Sequence, residues 1–264
     1  MVNVAVIQMD CTLGNIEENL TVADKLLQET VKAGARFVIL PELFSSGYVV
    51  DENSKDFAES LQGPTVSRLL SWAKEHDIWL AATFIESRAE DGQMYDTGIL
   101  VGPKGIVGIA RKKALWGEEG NIFQNDTSPC EVFETPFGKV GIVICYEVGI
   151  PEISRQLALK GADIIVIPSA FGMSRLYAWK LATRSRALEN GCFVIASNRV
   201  GRDNNIAFCG HSRIISPQGE VLHEITVEQG WVNIVIDQDE VHQQRENIPY
   251  LKEWERLRRT IDFN

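Results

Sequence analysis

Three residues far apart in the chain carry groups that together can break an acyl bond. Cys145 closes the apolar run of GKVGIVICYE, Glu42 follows the proline of RFVILPEL, and Arg111, Lys112 and Lys113 end the run GIARKK. A thiol at neutral pH is mostly protonated, so a cysteine nucleophile needs a base. A glutamate serves if partial burial lifts its pKa toward the working range. A lysine ammonium beside the developing oxyanion lowers the barrier by about 3 kcal/mol, the size of one lost oxyanion-hole donor. Each residue also has a plainer reading. Free cysteine is among the most buried residue types. A strand-end carboxylate often caps a loop N–H, and a cationic cluster is usually a solvated face.

Other catalytic machinery is missing. The chain holds no G-x-S-x-G, H-E-x-x-H, P-loop or post-strand G-x-G-x-x-G. The four histidines, His76, His211, His223 and His242, are not spaced as metal ligands on one helix. A Cys–His pair stays open to His211, which reads better as structural.

The elements that must position these groups alternate along the chain. Strands are expected at VNVAVIQM and RFVILP, with a helix over residues 15–33 between them, Asn15 as N-cap and Glu18 three positions on. A helix over 64–76 starts on Pro64. IWLAATFIES, YDTGILVGP and IVGIARKK are strands joined by Asp-Gly and Gly-Pro-Lys-Gly turns. VFET and KVGIVIC follow, the second ending on Cys145. Then come a helix over 151–160, DIIVIP, a helix over 174–190 closed by Gly191, and CFVIASN, SRIISP, EVLHEI and WVNIVID. Residues 240–264 read as a polar tail. A weak internal repeat pairs KAGARFVILPEL with LKGADIIVIPSA, each reached through a strand and a helix. Two such units imply parallel strands, and the strand count implies a second sheet. Ligand sites in such sheets lie at the strands' carboxyl ends, where Glu42 and Cys145 sit.

The composition bounds the partners. The 264 residues are 45% hydrophobic and 23% charged, an ordinary globular balance. A net charge of −10 argues against nucleic acid or an anionic membrane. No membrane span, secretory leader or linker is expected, so one domain covers residues 1–264. The five cysteines, without a C-x-x-C spacing, favour a reduced, cytoplasmic protein.

Glu42 in LPELFSSGY, Lys112 in RKKALW and Cys145 in GIVICYE resemble the Glu-Lys-Cys constellation of the nitrilase superfamily, the carbon–nitrogen hydrolases. The similarity continues through PEISRQLALKGADIIVIPSAF, RSRALENGCFVIASNRVG and GHSRIISPQGEVL. The resemblance implies an α/β fold, a four-layer-forming α-β-β-α sandwich usually paired sheet-to-sheet as a homodimer or larger assembly. It implies no metal and no cofactor, and a small-molecule amide or nitrile substrate. It implies a second glutamate seven positions after the lysine, which selects Glu119 over Glu118. It further implies that Lys112 and the Tyr146 N–H hold the oxyanion of a thioester-forming reaction. Three departures from the common pattern occur: Ala114 for histidine, Asn125 and Asp126 for Pro-Gly, and Glu147 for aspartate. MSRLYAWKLATRSRALEN and VHQQRENIP look most like the ω-amidase branch, where Arg175 or Tyr177 would meet a substrate carboxylate. Tyr48, Trp116, Tyr146 and Phe171 are candidate pocket walls. Nitrile or N-carbamoyl amine hydrolysis are the other chemistries, and a ligand-binding scaffold that keeps the triad is the non-enzymatic alternative.

Overall fold

The computed structural model describes residues 1–203, 206–258 and 260. In chain order the first half is β1 (Val2–Gln8), α1 (Ile16–Lys32), β2 (Phe37–Ile39), α2 (Pro64–His76), β3 (Trp79–Arg88), β4 (Gln93–Gly102) and β5 (Gly105–Arg111). The next part is α3 (Glu119–Ile122), β6 (Val132–Thr135), β7 (Gly138–Ile142), α4 (Pro151–Leu159), β8 (Ile164–Ser169), α5 (Leu176–Asn190) and β9 (Phe193–Asn198). The short pair β10 (Arg202–Asp203) and β11 (Ile206–Ala207) precedes β12 (Ser212–Ile215), β13 (Val221–Ile225), β14 (Gly230–Ile236), α6 (Asp239–Asn247) and α7 (Tyr250–Leu257).

Two six-stranded sheets result, ordered β14-β1-β2-β3-β4-β5 and β13-β12-β9-β8-β7-β6. At the centre of each, three strands run parallel: β1, β2, β3 in one and β7, β8, β9 in the other. The internal repeat therefore falls on matching places, β1–α1–β2 and β7–α4–β8. Side-chain alternation sorts the layers. Val4 and Val6 of β1 join a core shared with Ile142, Val166 and Ile195 of the other sheet. Ala5 and Ile7 face the opposite way and join Leu20, Leu27, Val66 and Trp72 of α1 and α2. Leu157 of α4 and Trp179 of α5 cover the outside of the second sheet. Each such buried side chain contributes roughly 1.5–3 kcal/mol, so the strand ends sit on a stiff frame. The fold is the α-β-β-α sandwich that the resemblance implies.

The structure corrects the reading at several points. Helix α1 takes its cap from Asn15, whose side chain accepts from the Glu18 N–H, but the Glu18 carboxylate accepts from the Asn15 amide at 2.8 Å. The helix expected over 174–190 opens as a 3₁₀ turn, Met173–Arg175, and becomes α-helical only at Leu176. Within the expected tail of residues 240–264, α6 (from Asp239) and α7 form; residues 259 and 261–264 lie outside the described residues. Asp239 and Glu240 favour the α6 start, and Val241 is fully buried. Finally, the two sheets pack on each other within one chain, and helices cover their outer faces. Among the described residues no helix is long and apolar enough to cross a membrane.

Candidate active site

Glu42 is placed by the two ends of the repeat. The Leu40 N–H makes a ladder bond to Ala81 O at 2.9 Å, and Pro41 has no donor, so the chain leaves β2 there. The Glu42 N–H then crosses to the other sheet, donating to Ser169 O at the end of β8 at 3.3 Å. The Ala170 N–H answers by donating to Glu42 Oε2 at 2.7 Å. Leu43, next in line, adopts φ +48° and donates its N–H to Thr83 Oγ1 at 2.7 Å. A left-handed leucine costs about 1–2 kcal/mol, a cost tolerated where a side chain must be aimed.

Alternation past β5 separates the three cations. Arg111 turns out to pair with Glu86 at 2.6 Å, and Lys113 turns out to Asp126 at 2.5 Å. Lys112 turns in and is fully buried. Its Nζ lies 2.6 Å from Glu42 Oε1, 2.8 Å from Glu119 Oε1 and 3.3 Å from Asp96 Oδ2. Glu119 begins α3 and is fully buried too, whereas Glu118 is exposed. Its other contacts are the Tyr48 hydroxyl, donating to Oε1 at 2.5 Å, and the Trp116 N–H, donating to Oε2 at 2.7 Å. Glu42, Asp96 and Glu119 offer oxygens within 4.8 Å of one another, and the cation among them is the lysine ammonium.

The strand before Cys145 is shorter than expected. β7 ends at Ile142, and a last ladder bond joins the Val143 N–H to Val166 O at 3.0 Å. The Ile144 N–H is claimed instead by Glu147 Oε2 at 2.7 Å, which pulls the chain into a 3₁₀ turn over Cys145–Gly149. Cys145 sits at φ +48°, turned away from the ladder, and keeps 6% exposure. Glu147 Oε1 also accepts from the N–H groups of Lys113 at 2.5 Å and Ala114 at 3.2 Å. One carboxylate thus staples the exit of β5 to the cysteine turn. Sequence reading noted Glu147 only as a departure; its signal was the capping-box position three residues past Ile144. Glu147→Ala leaves three backbone donors without their acceptor, each worth about 1–3 kcal/mol where buried. We expect urea unfolding to show a loss of roughly 2–4 kcal/mol. A midpoint equal to that of the parent protein would refute the staple.

The charges set the resting protonation. Burial pushes the Glu42 carboxyl up, but the Lys112 charge, with Asp96 and Cys145 beside it, outweighs burial and holds the group below its ordinary value. The lift by burial expected from sequence is therefore reversed. Burial opposes the Lys112 charge, yet Glu42, Asp96 and Glu119 keep the ammonium well above its ordinary pKa. Burial, then the Glu42 charge, pushes the Cys145 thiol well up, with Lys112 opposing. The site at rest is thiol, carboxylate and ammonium. Cys11 and Cys192, pushed up to about 12 by burial, are free thiols as well. Cys145 differs from them in standing beside Glu42 and Lys112.

The expected wall residues gather at one rim. Trp116 and Tyr146 meet with ring centroids 4.8 Å apart. The Arg175 guanidinium lies 4.1 Å over the Trp116 ring and 5.5 Å over that of Phe171. Tyr48 meets Phe208 edge-on at 6.0 Å, and Phe208 bridges to Gly172. Tyr177, by contrast, is 75% exposed on α5, so of the two carboxylate-binding candidates only Arg175 is brought to the rim. Phe208 and Asp96 were missed. Phe208 had no signal, being one apolar residue in a loop. Asp96 was hidden in the strand YDTGILVGP, where one buried acid looks like an outward-facing polar residue.

Comparison with known proteins adds three findings. A family model described as carbon-nitrogen hydrolase matches residues 3–246. A nitrilase of Pyrococcus abyssi is 37% identical over 226 residues, 84% of each chain, and an omega-amidase of Xenopus tropicalis is 36% identical over 244 residues, covering 88% of this chain and 87% of its own. The crystal structure of Nit3 from Saccharomyces cerevisiae, a member of branch 10 of the nitrilase superfamily, superposes with a TM-score of 0.87 at 26% identity over 94% of both chains.

Proposed function

The chain belongs to the carbon–nitrogen hydrolase family, and on that premise we propose that it hydrolyses the C–N bond of a small linear carboxamide through a thioester on Cys145. One observation carries the reading: a fully buried ammonium, Lys112, held between Glu42 and Glu119, with the Cys145 thiol close enough to feel the Glu42 charge. Glu42 is a weak base while Lys112 stands 2.6 Å away. A carbonyl oxygen entering beside the ammonium draws it away from Glu42, and the affinity of Glu42 for the thiol proton rises. That transfer moves one negative charge from oxygen to sulfur and adds none to the buried space.

The thiolate attacks the carbonyl carbon. Lys112 and the Tyr146 N–H, at the start of a turn whose first donors lack intrahelical acceptors, take the oxyanion. Glu42 returns its proton to the amide nitrogen, the C–N bond breaks and ammonia leaves the thioester. Glu42 then draws a proton from water, hydroxide adds to the thioester, and the carboxylic acid and the thiol are released. Glu119 orients Lys112, and its bond from Tyr48 ties it to the pocket wall. The five unpaired cysteines support a reducing compartment such as the cytoplasm, and a homodimer or larger homo-oligomer remains part of the proposal.

The proposed substrate carries a carboxylate distal to the reacting amide. Among the described residues no carboxylate pairs with Arg175, which is held only by aromatic faces at the rim. Similarity to an omega-amidase supports the same class. Ammonia release should therefore be fastest for a short ω-amide with a free carboxylate, against neutral amides, nitriles and N-carbamoyl amines. Losing a charge-assisted hydrogen bond, Arg175→Ala should raise KM about 10–100-fold for that amide and less than about twofold for a neutral amide of equal length. Ammonia from nitriles alone, or an equal KM effect on both amides, would overturn the assignment.

A further inference from the structure

Asp96 stands in the site without a part in the chemistry above. It lies on β4, opposite Ile85 of β3, and its backbone oxygen accepts the Lys112 N–H at 2.9 Å. Its side chain is fully buried. Neither carboxyl oxygen accepts a hydrogen bond, and Lys112 Nζ stands 3.3 Å from Oδ2 as a third, longer contact. Three ionised carboxylates around one ammonium would leave two uncompensated negative charges in a space closed to water. Buried groups in that position take up a proton instead.

The donors decide which one. Both oxygens of Glu42 are filled, Oε1 by Lys112 and Oε2 by the Ala170 N–H. Both oxygens of Glu119 are filled as well, Oε1 by Lys112 and Tyr48, Oε2 by the Trp116 N–H. Of the three carboxylates only Asp96 has no hydrogen-bond partner on either oxygen; oxygens of Glu42 and Glu119 lie within 4.8 Å of its own, and Glu42 acts the more strongly on its charge. We propose that Asp96 is a positioning residue that remains a neutral carboxylic acid and donates its proton to Glu42, fixing the base between Lys112 and the thiol. Burial, with the neighbouring Glu42 charge, pushes its carboxyl well above the ordinary range despite Lys112, in line with this role. The count also leaves the site with one net negative charge before and after the Cys145 proton moves to Glu42, so acylation needs no further titration.

The inference rests on Glu42 as the base, and one test reads the proton without any substrate. Aspartate labelled with ¹³C at the carboxyl should give one signal that stays at the protonated position from about pH 5 to about pH 8 and vanishes in Asp96→Asn. In kinetics, Asp96→Ala should lower kcat about 10–100-fold with KM little changed, the size of one lost buried donor. Asp96→Asn, whose amide N–H donates where the acid O–H did, should recover kcat to within about fivefold of the parent protein. An ionised signal for Asp96, or an Asn variant as impaired as the Ala variant, overturns the proposal. Should Asp96→Ala fail to fold, the labelled parent and Asp96→Asn still decide. A chain that turns over no amide but shows the protonated signal refutes the hydrolase reading and not this one.

Discussion

Cys145→Ala should release no measurable ammonia while still binding the amide. The reasoning starts from the backbone. Cys145 is held at φ +48° by the bond from the Ile144 N–H to Glu147, not by its own side chain. Alanine, having a Cβ like cysteine, fits that conformation with no added strain. The rim of Trp116, Tyr146, Phe171 and Arg175 does not depend on the sulfur. Loss of a covalent nucleophile should therefore cut kcat by about 10⁴-fold or more, with melting temperature and substrate affinity close to those of the parent protein. Calorimetry on the variant reads binding, and ammonia release reads turnover. In the parent, intact mass during turnover of a slow amide should show an adduct equal to the acyl group, absent from the variant. All five cysteines are buried, so alkylation by a substrate-like electrophile, mapped by peptide mass, should favour Cys145 only through the Glu42 base beside it. Turnover above about one per cent of the parent rate, or an acyl adduct elsewhere, would remove Cys145 as nucleophile.

Much of this site was legible because its parts are tied to strand ends. Glu42 and Cys145 were found as polar groups closing apolar runs, and Pro41 does end β2. The internal repeat proved more informative than any motif. Of its two prolines, Pro41 lies just past β2, whereas Pro168 stays inside β8 opposite Ser197 of β9; the residues after them exchange the bonds that fix Glu42. What stayed hidden is what depends on the partner across the sandwich. Glu42 was expected to be a base raised by burial; Lys112 at 2.6 Å reverses the sign, and no local pattern reports a contact 70 residues away. Lys112 could not be told from Lys113 by residue type, only by resemblance, because the pleat's phase past β5 decides which side chain turns inward. Asp96 was read as an ordinary strand residue since its burial comes from Glu42 and Lys112 rather than from its neighbours in sequence. The tail was misread for a simpler reason: α6 has one apolar residue, Val241, buried beside Gln244, and α7 spans only eight residues, none of them buried.

Glu42→Gln tests the base, and its effect should nearly match that of the cysteine variant. Both Glu42 oxygens accept from fixed donors, Lys112 on one side and the Ala170 N–H on the other. Glutamine has a single oxygen, so its NH₂ must face one of these donors whichever way the amide is turned. The variant therefore loses a charge-assisted bond, cannot take the thiol proton and cannot activate water. General-base loss alone costs about 10²–10⁴ in rate, and both half-reactions use this base, so we expect a fall of about 10⁴-fold in kcat. The pH dependence follows from the direction of the shift. The working form of Glu42 is ionised, and Lys112 with its hydrogen bonds holds the folded-state pKa below the unfolded value of 4.5. Activity, and the stability the pair contributes, should both be complete above the unfolded value and fall away only as pH drops through the lower folded one. The kcat/KM profile of the parent protein should thus hold its plateau to below about pH 4.5, and chemical denaturation should lose stability over the same acid range. Glu42→Gln should abolish the kinetic limb and flatten that part of the stability curve. If the limb persists unchanged in the variant, or lies near neutral pH in the parent, a different group carries the proton and Glu42 is only a strut for Lys112.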